Sequence, residues 1–241
     1  MIINAIKLVQ FKFLLLKTHN LKVLFEDNHL LIVNKPAGIL SQGDKTRDTD
    51  IIAIAKNYIK IKYEKPGDVF LGLAHRLDRP VSGALILCRT SKSLTRMTEL
   101  FKKRQIKKVY HALIIGRPSQ HSEKLISYIK KDSKRNRAII SKKPFVGAKK
   151  AILTYSQIAE LNKHSLLEVE LETGRPHQIR AQLSAAKLPI LGDLKYHPQN
   201  PLEDKSIALH CYSMEFIYPV KKEVTRVTAA YPNKSWWKNF T

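Results

Sequence analysis

The sequence predicts an α+β protein whose framework is one large, mainly antiparallel β-sheet. Segments with the alternating or continuously apolar pattern of strands outnumber the amphipathic segments with helical spacing. Several strand segments come in pairs joined by short polar turns, which is the pattern of antiparallel hairpins. The helical segments each have one apolar face, so we expect them to pack around the sheet.

The strands are predicted from apolar and β-branched runs that end at turn residues. In the first pair, Asn28-His29 is a two-residue hairpin signal. The run Ala84-Leu85-Ile86-Leu87-Cys88 is apolar throughout and predicts a buried strand. The predicted strands cover residues 23–27, 30–33, 69–73, 84–88, 108–115, 125–129, 138–140, 148–160, 165–172 and 207–216.

Helices are predicted over residues 50–64, 91–104 and 177–187, where apolar residues recur at helical spacing. Asp50 is a candidate N-cap of the first helix, because its side chain can accept a bond from a free backbone N–H. Before the third helix, Pro176 suits the first turn and Thr173 is a candidate cap. We also predict that Arg180, on the face of His177, pairs with a carboxylate, and Asp78 is the expected partner.

The chain of 241 residues has no linker-like stretch, and we expect a single catalytic domain over residues 22–241. Residues 1–21 are apolar with interspersed lysines and are predicted to form an N-terminal arm or an extra strand. No apolar stretch is long enough to span a bilayer. Cys88 and Cys211 lie in apolar runs and should be small buried side chains, which fits a reducing, cytoplasmic location.

The net charge of +23 makes a polyanion the expected partner. A basic proteome or binding to a membrane surface would be the alternative explanation. Residues 130–150 are the most basic part, and the predicted hairpin there could follow a nucleic-acid backbone or only solubilise the protein. A second basic cluster lies at residues 102–108.

The segment from His75 to Gly83 is the strongest candidate for chemistry. Its carboxylate, Asp78, stands among His75, Arg76 and Arg79, and the turn residues around it lead into the buried strand. Cations on both sides should keep the carboxylate ionised, which suits a nucleophile better than a general acid. The alternative is a turn aspartate with solvated arginines beside it.

Three segments together resemble the pseudouridine synthases of the RluA type, in the family's order and spacing. His75-Arg76-Leu77-Asp78-Arg79-Pro80-Val81-Ser82-Gly83 resembles the family's active-site motif, with Val81 in place of the usual Thr or Ser. The other two segments are Lys108-Val109-Tyr110-His111-Ala112-Leu113 and Leu171-Glu172-Thr173-Gly174-Arg175-Pro176-His177-Gln178-Ile179-Arg180. The similarity covers most of the chain, and the chain has no room for the N-terminal S4 domain of some family members.

The resemblance implies a bent, mixed sheet and the isomerisation of uridine to pseudouridine in ribosomal or transfer RNA, without cofactor or metal. We expect the chain to be a monomer. It implies that Asp78 is the nucleophile, that Tyr110 packs on the base, and that Arg180 orients the carboxylate. The residues expected to bind RNA are Arg76, which would fill the space left by the target base, and His75, Arg79, Lys108, Arg175 and His177.

Two other functions remain open from the residues alone. A non-catalytic RNA-binding protein would share the charge but would not need Asp78, Tyr110 and Arg180 together. A glycosidase or nucleoside hydrolase would use a second carboxyl group near Asp78 and would release free base. The Leu191-Gly192-Asp193-Leu194-Lys195-Tyr196 segment is interpreted as a structural turn.

Overall fold

Eleven strands form one sheet in this computed structural model, which describes residues 21–44, 46 and 48–240. The strands are β1 (Lys22–Glu26), β2 (Leu30–Lys35), β3 (Gly72–Leu73), β4 (Ser82–Cys88), β5 (Ile106–Ile115), β6 (Ser122–Asp132), β7 (Arg137–Ser141), β8 (Lys149–Leu161), β9 (His164–Leu171), β10 (Leu209–Ile217) and β11 (Val224–Thr228). The helices are α1 (Ile51–Lys62), α2 (Ser91–Lys102), α3 (Gln178–Ala185) and α4 (Ser235–Lys238). The predicted N-terminal arm lies outside the described residues, apart from Leu21.

The strand order is β1-β2-β4-β10-β5-β9-β8-β6-β7, with β3 paired to β4 and β11 paired to β10. Among the described strands, β4 and β10 form the one parallel pair, and the other pairs are antiparallel. The prediction of an α+β fold with a mixed, mainly antiparallel sheet is therefore confirmed. The three predicted hairpins are β1–β2, β6–β7 and β8–β9.

The main hydrophobic core lies against the centre of the sheet, where every residue of β4 is buried. Helix α1 contributes the apolar face that its spacing predicted, and Asp50 caps it by accepting a hydrogen bond from the Ala53 N–H. Helix α2 packs on β3 and β4. Cys88 and Cys211 are unpaired and fully buried, as predicted.

A smaller core fixes helix α3 to the β6–β7 hairpin. It consists of Ile129, Ala138, Ala151, Ala181 and Tyr196, with alanines at three of its five positions. Small side chains let a helix approach a sheet closely, so this contact places α3 directly beside the base of the basic hairpin.

Four details differ from the prediction. Helix α3 begins at Gln178, so Pro176 is not in its first turn as predicted. His177 is the N-cap residue, and its φ of 53° lies in the left-handed region. Thr173 does not cap the helix, since its hydroxyl bonds the Ile152 N–H and the Gln178 side chain. The predicted strand over 69–73 is reduced to the two residues of β3, and β11 and α4 were not predicted.

None of the helices in the described part of the chain is long and apolar enough to cross a membrane.

Candidate active site

Three adjacent strands carry the first parts of the site. In register across the sheet, Gly83 of β4 lies opposite Cys211 of β10, and Cys211 lies opposite Tyr110 of β5. Gly83 has a φ of +117°, and a Cβ there would lie 2.3 Å from the Cys211 carbonyl oxygen. Only glycine fits, so the Ser82-Gly83 dipeptide is what lets the Asp78 loop enter the sheet two strands from Tyr110.

The loop that carries Asp78 is held from several sides. A turn closes where the Val81 N–H donates to the Asp78 carbonyl at 3.1 Å. The fully buried Lys35 donates from Nζ to the carbonyls of Pro36, Ile39 and Arg79, at 2.9, 2.8 and 3.4 Å. These contacts fix the backbone at Asp78 and at the residue that follows it. Val81 is buried in the core, so the position where the family pattern has a hydroxyl is filled by apolar packing.

Arg180 connects two carboxylates in the first turn of α3. Its Nη1 lies 2.9 Å from Asp78 Oδ2. On the other side, Nε lies 2.7 Å from Oδ2 of Asp193, and Nη2 lies 2.7 Å from Oδ1 of the same residue. The Arg180 and Asp193 side chains are 5% and 1% exposed, whereas Asp78 is 30% exposed. Burial alone would lower the pKa of Arg180, but the hydrogen bonds and charges of Asp193 and Asp78 raise it overall. The predicted Asp78–Arg180 pair is present in the structure.

Tyr110 lies beside this ion pair in the same cleft and is 7% exposed. Burial, a hydrogen bond with Cys211 and the negative charge of Asp78 raise its pKa well above the ordinary value of 10. The phenol therefore stays protonated at neutral pH. It offers an apolar ring face to whatever occupies the cleft.

His177 also reaches the carboxylate. Its Nε2 lies 3.7 Å from Asp78 Oδ2, and its Nδ1 lies 3.0 Å from the Tyr196 hydroxyl. Burial lowers the pKa of His177, more than the charge of Asp78 raises it. The ring is therefore neutral at pH 7, and Arg180 supplies the positive charge next to Asp78.

These groups line a cleft of about 1000 Å³. That volume is at the upper end of the usual range for small-molecule sites, and the opening is bordered by many cations. Besides Arg180, the lysines and arginines that line it are Arg76, Arg79, Lys102, Arg104, Lys108, Lys131, Arg175 and Lys195. A polyanion with one group inserted into the cleft matches this arrangement of charge better than a small neutral molecule does.

The residues that were predicted to bind RNA all line the cleft, but they differ in how freely they can contact a ligand. Arg76 is exposed. Arg79 pairs with Asp48 at 2.8 Å, and Arg175 donates from Nε to the Lys150 carbonyl at 3.0 Å. Lys108 is partly buried, and burial lowers its pKa.

His75 does not supply the positive charge that its position in the motif suggested. Its Nε2 accepts a hydrogen bond from the Ile86 N–H at 3.0 Å, and its ring packs on Phe101 with centroids 4.6 Å apart. Burial lowers the pKa of His75 to about 3, so the ring is neutral. Any contact that His75 makes with RNA must therefore be made without charge.

Sequence reasoning did not identify three residues of the site: Lys35, Asp193 and Tyr196. Lys35 is not among the predicted site residues, and the Asp193–Tyr196 segment is interpreted from the sequence as structural. One signal was available, because the pairing predicted for Arg180 used a single carboxylate while a buried guanidinium has five N–H donors to satisfy.

Comparison with known proteins shows the family to which the chain belongs. Residues 29–185 match the family model described as RNA pseudouridylate synthase. The chain is 32% identical over 216 residues to the uncharacterized RNA pseudouridine synthase YhcT of Bacillus subtilis, covering 88% of this chain and 69% of that protein. It is 33% identical over 209 residues to the ribosomal large subunit pseudouridine synthase C of Buchnera aphidicola subsp. Acyrthosiphon pisum, covering 82% of this chain and 63% of that protein.

Among solved structures, human RNA pseudouridylate synthase domain containing 4 superposes with a TM-score of 0.76 at 22% identity, over 93% of this chain and 94% of that one. This likeness supports the fold. The chain belongs to the RNA pseudouridylate synthase family, whose reaction is the isomerisation of uridine within RNA. It spans about two thirds of the length of the curated relatives named above.

Proposed function

We propose that this chain converts specific uridines of structured RNA to pseudouridine, with Asp78 as the nucleophile. The observation that carries the proposal is the convergence of Asp78, Tyr110 and Arg180, which are far apart in sequence, in one cation-rimmed cleft. The net charge of +23 and family membership support RNA as the substrate.

The chemistry needs one carboxylate and no redox step. The bond between N1 of uracil and C1′ of ribose breaks, the base turns, and a bond forms between C5 and C1′. N1 gains a proton and C5 loses one, so atoms and electrons balance without a co-reactant. An ionised carboxylate near C1′ can stabilise or bond to the electron-poor carbon, as in glycosidases. Uracil leaves as a delocalised anion, which removes the need for a second acid.

The neighbours of Asp78 suit that role. Arg180 donates a hydrogen bond to Oδ2 and places a positive charge beside the carboxylate. Tyr110 offers its ring to the base, and the negative charge of the nearby Asp78 helps to raise the pKa of its hydroxyl. The target nucleotide must leave its stack to reach this depth, and we assign to Arg76 the filling of the vacated space, since it is exposed at the rim.

Ribosomal RNA of the large subunit is the substrate we favour, because the characterised names among the relatives refer to that RNA. Transfer RNA is the second candidate, since the cleft and its basic rim recognise backbone and shape and carry no feature that excludes a smaller structured RNA. We further propose that the chain acts as a monomer in the cytoplasm.

The test uses the purified chain and three substrates: unmodified large-subunit rRNA, unmodified small-subunit rRNA and a pool of unmodified tRNAs, all transcribed in vitro. We expect pseudouridine at one or a few positions of the large-subunit RNA, mapped by chemical labelling and sequencing. Mass spectrometry of the digested RNA and of the supernatant separates isomerisation from hydrolysis.

Each outcome has a definite reading. Pseudouridine only in tRNA would support the activity and contradict the preferred substrate. Free uracil with abasic sites would identify a hydrolase. RNA binding without either product would favour the non-catalytic alternative. Comparing pseudouridine maps from cells with and without the gene then identifies the natural position.

A further inference from the structure

Tyr196 lies at the junction of three elements of the site. The guanidinium carbons of Arg137 and Arg180 lie 4.8 and 5.4 Å from the centroid of its ring. Its hydroxyl lies 2.7 Å from the Ala138 backbone nitrogen and 3.0 Å from His177 Nδ1. The side chain thus touches the basic hairpin, the N-cap of α3 and the arginine that binds Asp78.

The direction of these hydrogen bonds is fixed by the chemistry of the partners. A backbone N–H can only donate, so the Tyr196 oxygen accepts from Ala138. Burial raises the pKa of Tyr196, and the phenol therefore keeps its proton, which is left to donate to His177 Nδ1. Because burial lowers the pKa of His177, the ring is neutral, and its single proton must then lie on Nε2.

The protonated Nε2 is the nitrogen that faces Asp78. It lies 3.7 Å from Oδ2, a polar contact longer than a hydrogen bond, and the same oxygen accepts a hydrogen bond from Arg180 at 2.9 Å. Within the described part of the chain, Oδ1 of Asp78 accepts no side-chain or backbone hydrogen bond. The two oxygens therefore differ: Oδ2 accepts from Arg180 and faces His177, whereas Oδ1 has no such partner among the described residues.

His177 adopts a conformation that is costly for a residue with a side chain. Its φ of 53° lies in the left-handed region, and its side chain makes no cap for α3. Residues held in this region occur at active sites when surrounding contacts enforce them. Here the Tyr196 hydroxyl is the contact that holds the ring towards Asp78.

We infer that Tyr196 is a positioning residue, which fixes the proton of His177 on Nε2 so that Asp78 is held through Oδ2 and presents Oδ1 to the substrate. This role deepens the proposed function and rests on it for its effect on catalysis. It assigns His177 to orientation of the carboxylate rather than to contact with RNA phosphates.

The direct test is the tautomer of His177 in the wild-type chain at pH 7.5. A two-bond ¹H–¹⁵N NMR spectrum distinguishes protonated from unprotonated ring nitrogens, and the His177→Gln variant identifies the signal by its absence. We expect the proton on Nε2. A proton on Nδ1 in the wild type would overturn the inference, whatever the activity of the enzyme.

The kinetic test uses Tyr196→Phe, which keeps the ring and removes the hydroxyl. We expect kcat on unmodified large-subunit rRNA to fall about ten-fold, with KM changed less than about two-fold. In a His177→Gln background the same change should cost less than about two-fold, because glutamine has no tautomer to fix. Tyr212→Phe, outside the cleft, is the control for loss of a hydroxyl.

Equal losses in both backgrounds would show that Tyr196 does not act through His177 and would contradict the inference. If Tyr196→Phe does not fold, the wild-type tautomer still decides. A wild-type chain that folds, shows the Nε2 tautomer and makes no pseudouridine would contradict the proposed function while leaving the assignment of the proton intact.

Discussion

Asp78 is bound through one oxygen by an arginine that is itself fixed from behind. Arg180 uses two of its nitrogens on Asp193 and the third on Asp78. The buried pair with Asp193 compensates the desolvation of the guanidinium, so that its remaining donor has a defined direction. Asp193 thus acts on the nucleophile through Arg180.

We predict that Asp193→Asn lowers both stability and activity. The amide group would face two Arg180 donors with only one acceptor, and the buried guanidinium would lose its full charge partner. We expect a loss of about 3 kcal/mol in the free energy of urea unfolding and a fall in kcat of about 100-fold. Glu223→Gln, which breaks an exposed pair with Lys221, should change neither measurement. A stable Asp193→Asn enzyme with normal kcat would contradict this role.

At the scale of elements, the loop of residues 77–81 is positioned by a buried lysine. Lys35 is the last residue of β2, and its Nζ donates hydrogen bonds to carbonyls of two neighbouring loops. Burial lowers the pKa of Lys35 to about 7, while the charge of Asp78 opposes that shift. The contacts of its Nζ with three carbonyls join these backbone segments in the core of the protein.

We predict that Lys35→Met, which keeps a long unbranched side chain, destabilises the protein by about 3 kcal/mol, because buried carbonyls lose their hydrogen-bond donor. The rate of pseudouridine formation should fall as well, since the Arg79 carbonyl adjoins Asp78. Urea unfolding and initial rates measure the two effects. Lys22→Met, at the exposed first position of β1, serves as the control. Unchanged stability would show that the loop does not depend on Lys35.

The β6–β7 hairpin is the element best suited to follow the RNA backbone. Its tip is ordered by Asp132, whose Oδ1 accepts the N–H groups of Lys134 and Arg135, and its cations are exposed. Lys131 also lines the cleft. The hairpin is connected to the site through α3 and Tyr196, so contacts with RNA there lie close to the reacting nucleotide.

We predict that the triple variant Lys131→Gln, Lys134→Gln and Arg135→Gln binds RNA more weakly. If each side chain neutralises one phosphate, the slope of log affinity against log salt should become shallower by about 2 to 3. KM should rise while kcat changes little. Lys56→Gln, Lys60→Gln and Lys65→Gln remove the same charge outside the cleft. An equal effect of both triple variants would show that only net charge matters.

Elements predicted from local pattern were mostly correct, because hairpin turns, caps and apolar spacing are local signals. The departures arise from contacts distant in sequence. Thr173 bonds Ile152 on β8 instead of capping α3, and Asp193 becomes part of the site only when the fold brings it to Arg180. The resemblance identified Asp78, Tyr110 and Arg180, but no pattern in the sequence revealed the bonds of Lys35 or Tyr196.

At the scale of the whole molecule, a buried histidine pair joins the centre of the sheet to the C-terminal region. His210 accepts from Ser82 at 2.8 Å and donates to the Ala229 carbonyl at 3.0 Å. His111, directly opposite on β5, stacks on Tyr212 with centroids 4.0 Å apart. Burial lowers the pKa of both histidines to about 4.

This burial predicts that the protein loses stability in mild acid. Below a pH of about 6.5, which is the pKa of histidine in the unfolded chain, the two histidines are protonated when the chain is unfolded but stay neutral when it is folded. The contribution of the neutral, buried histidines to the free energy of unfolding is therefore fully present above that pH, and it is lost as the pH falls towards 4. We expect a loss of roughly 2 kcal/mol per histidine between pH 7.5 and pH 5 in urea unfolding.

The variants that check this assignment are His210→Gln and His121→Gln. Glutamine at position 210 cannot titrate, so the dependence of stability on pH should become shallower by one histidine's share. His121 is exposed, and its replacement should leave the dependence unchanged. A wild-type protein equally stable at both pH values would contradict the assignment of neutral buried rings.

The measurement that tests the central claim most directly is tritium release from RNA labelled at C5 of uridine, under single-turnover conditions, for the wild type, Asp78→Asn and Asp68→Asn. Forming the bond between C5 and C1′ expels the C5 hydrogen, so release counts turnovers. We expect release with the wild type and with Asp68→Asn, an exposed carboxylate outside the cleft, and none with Asp78→Asn, although that variant still folds and binds RNA. Normal release from Asp78→Asn would contradict the account of this site.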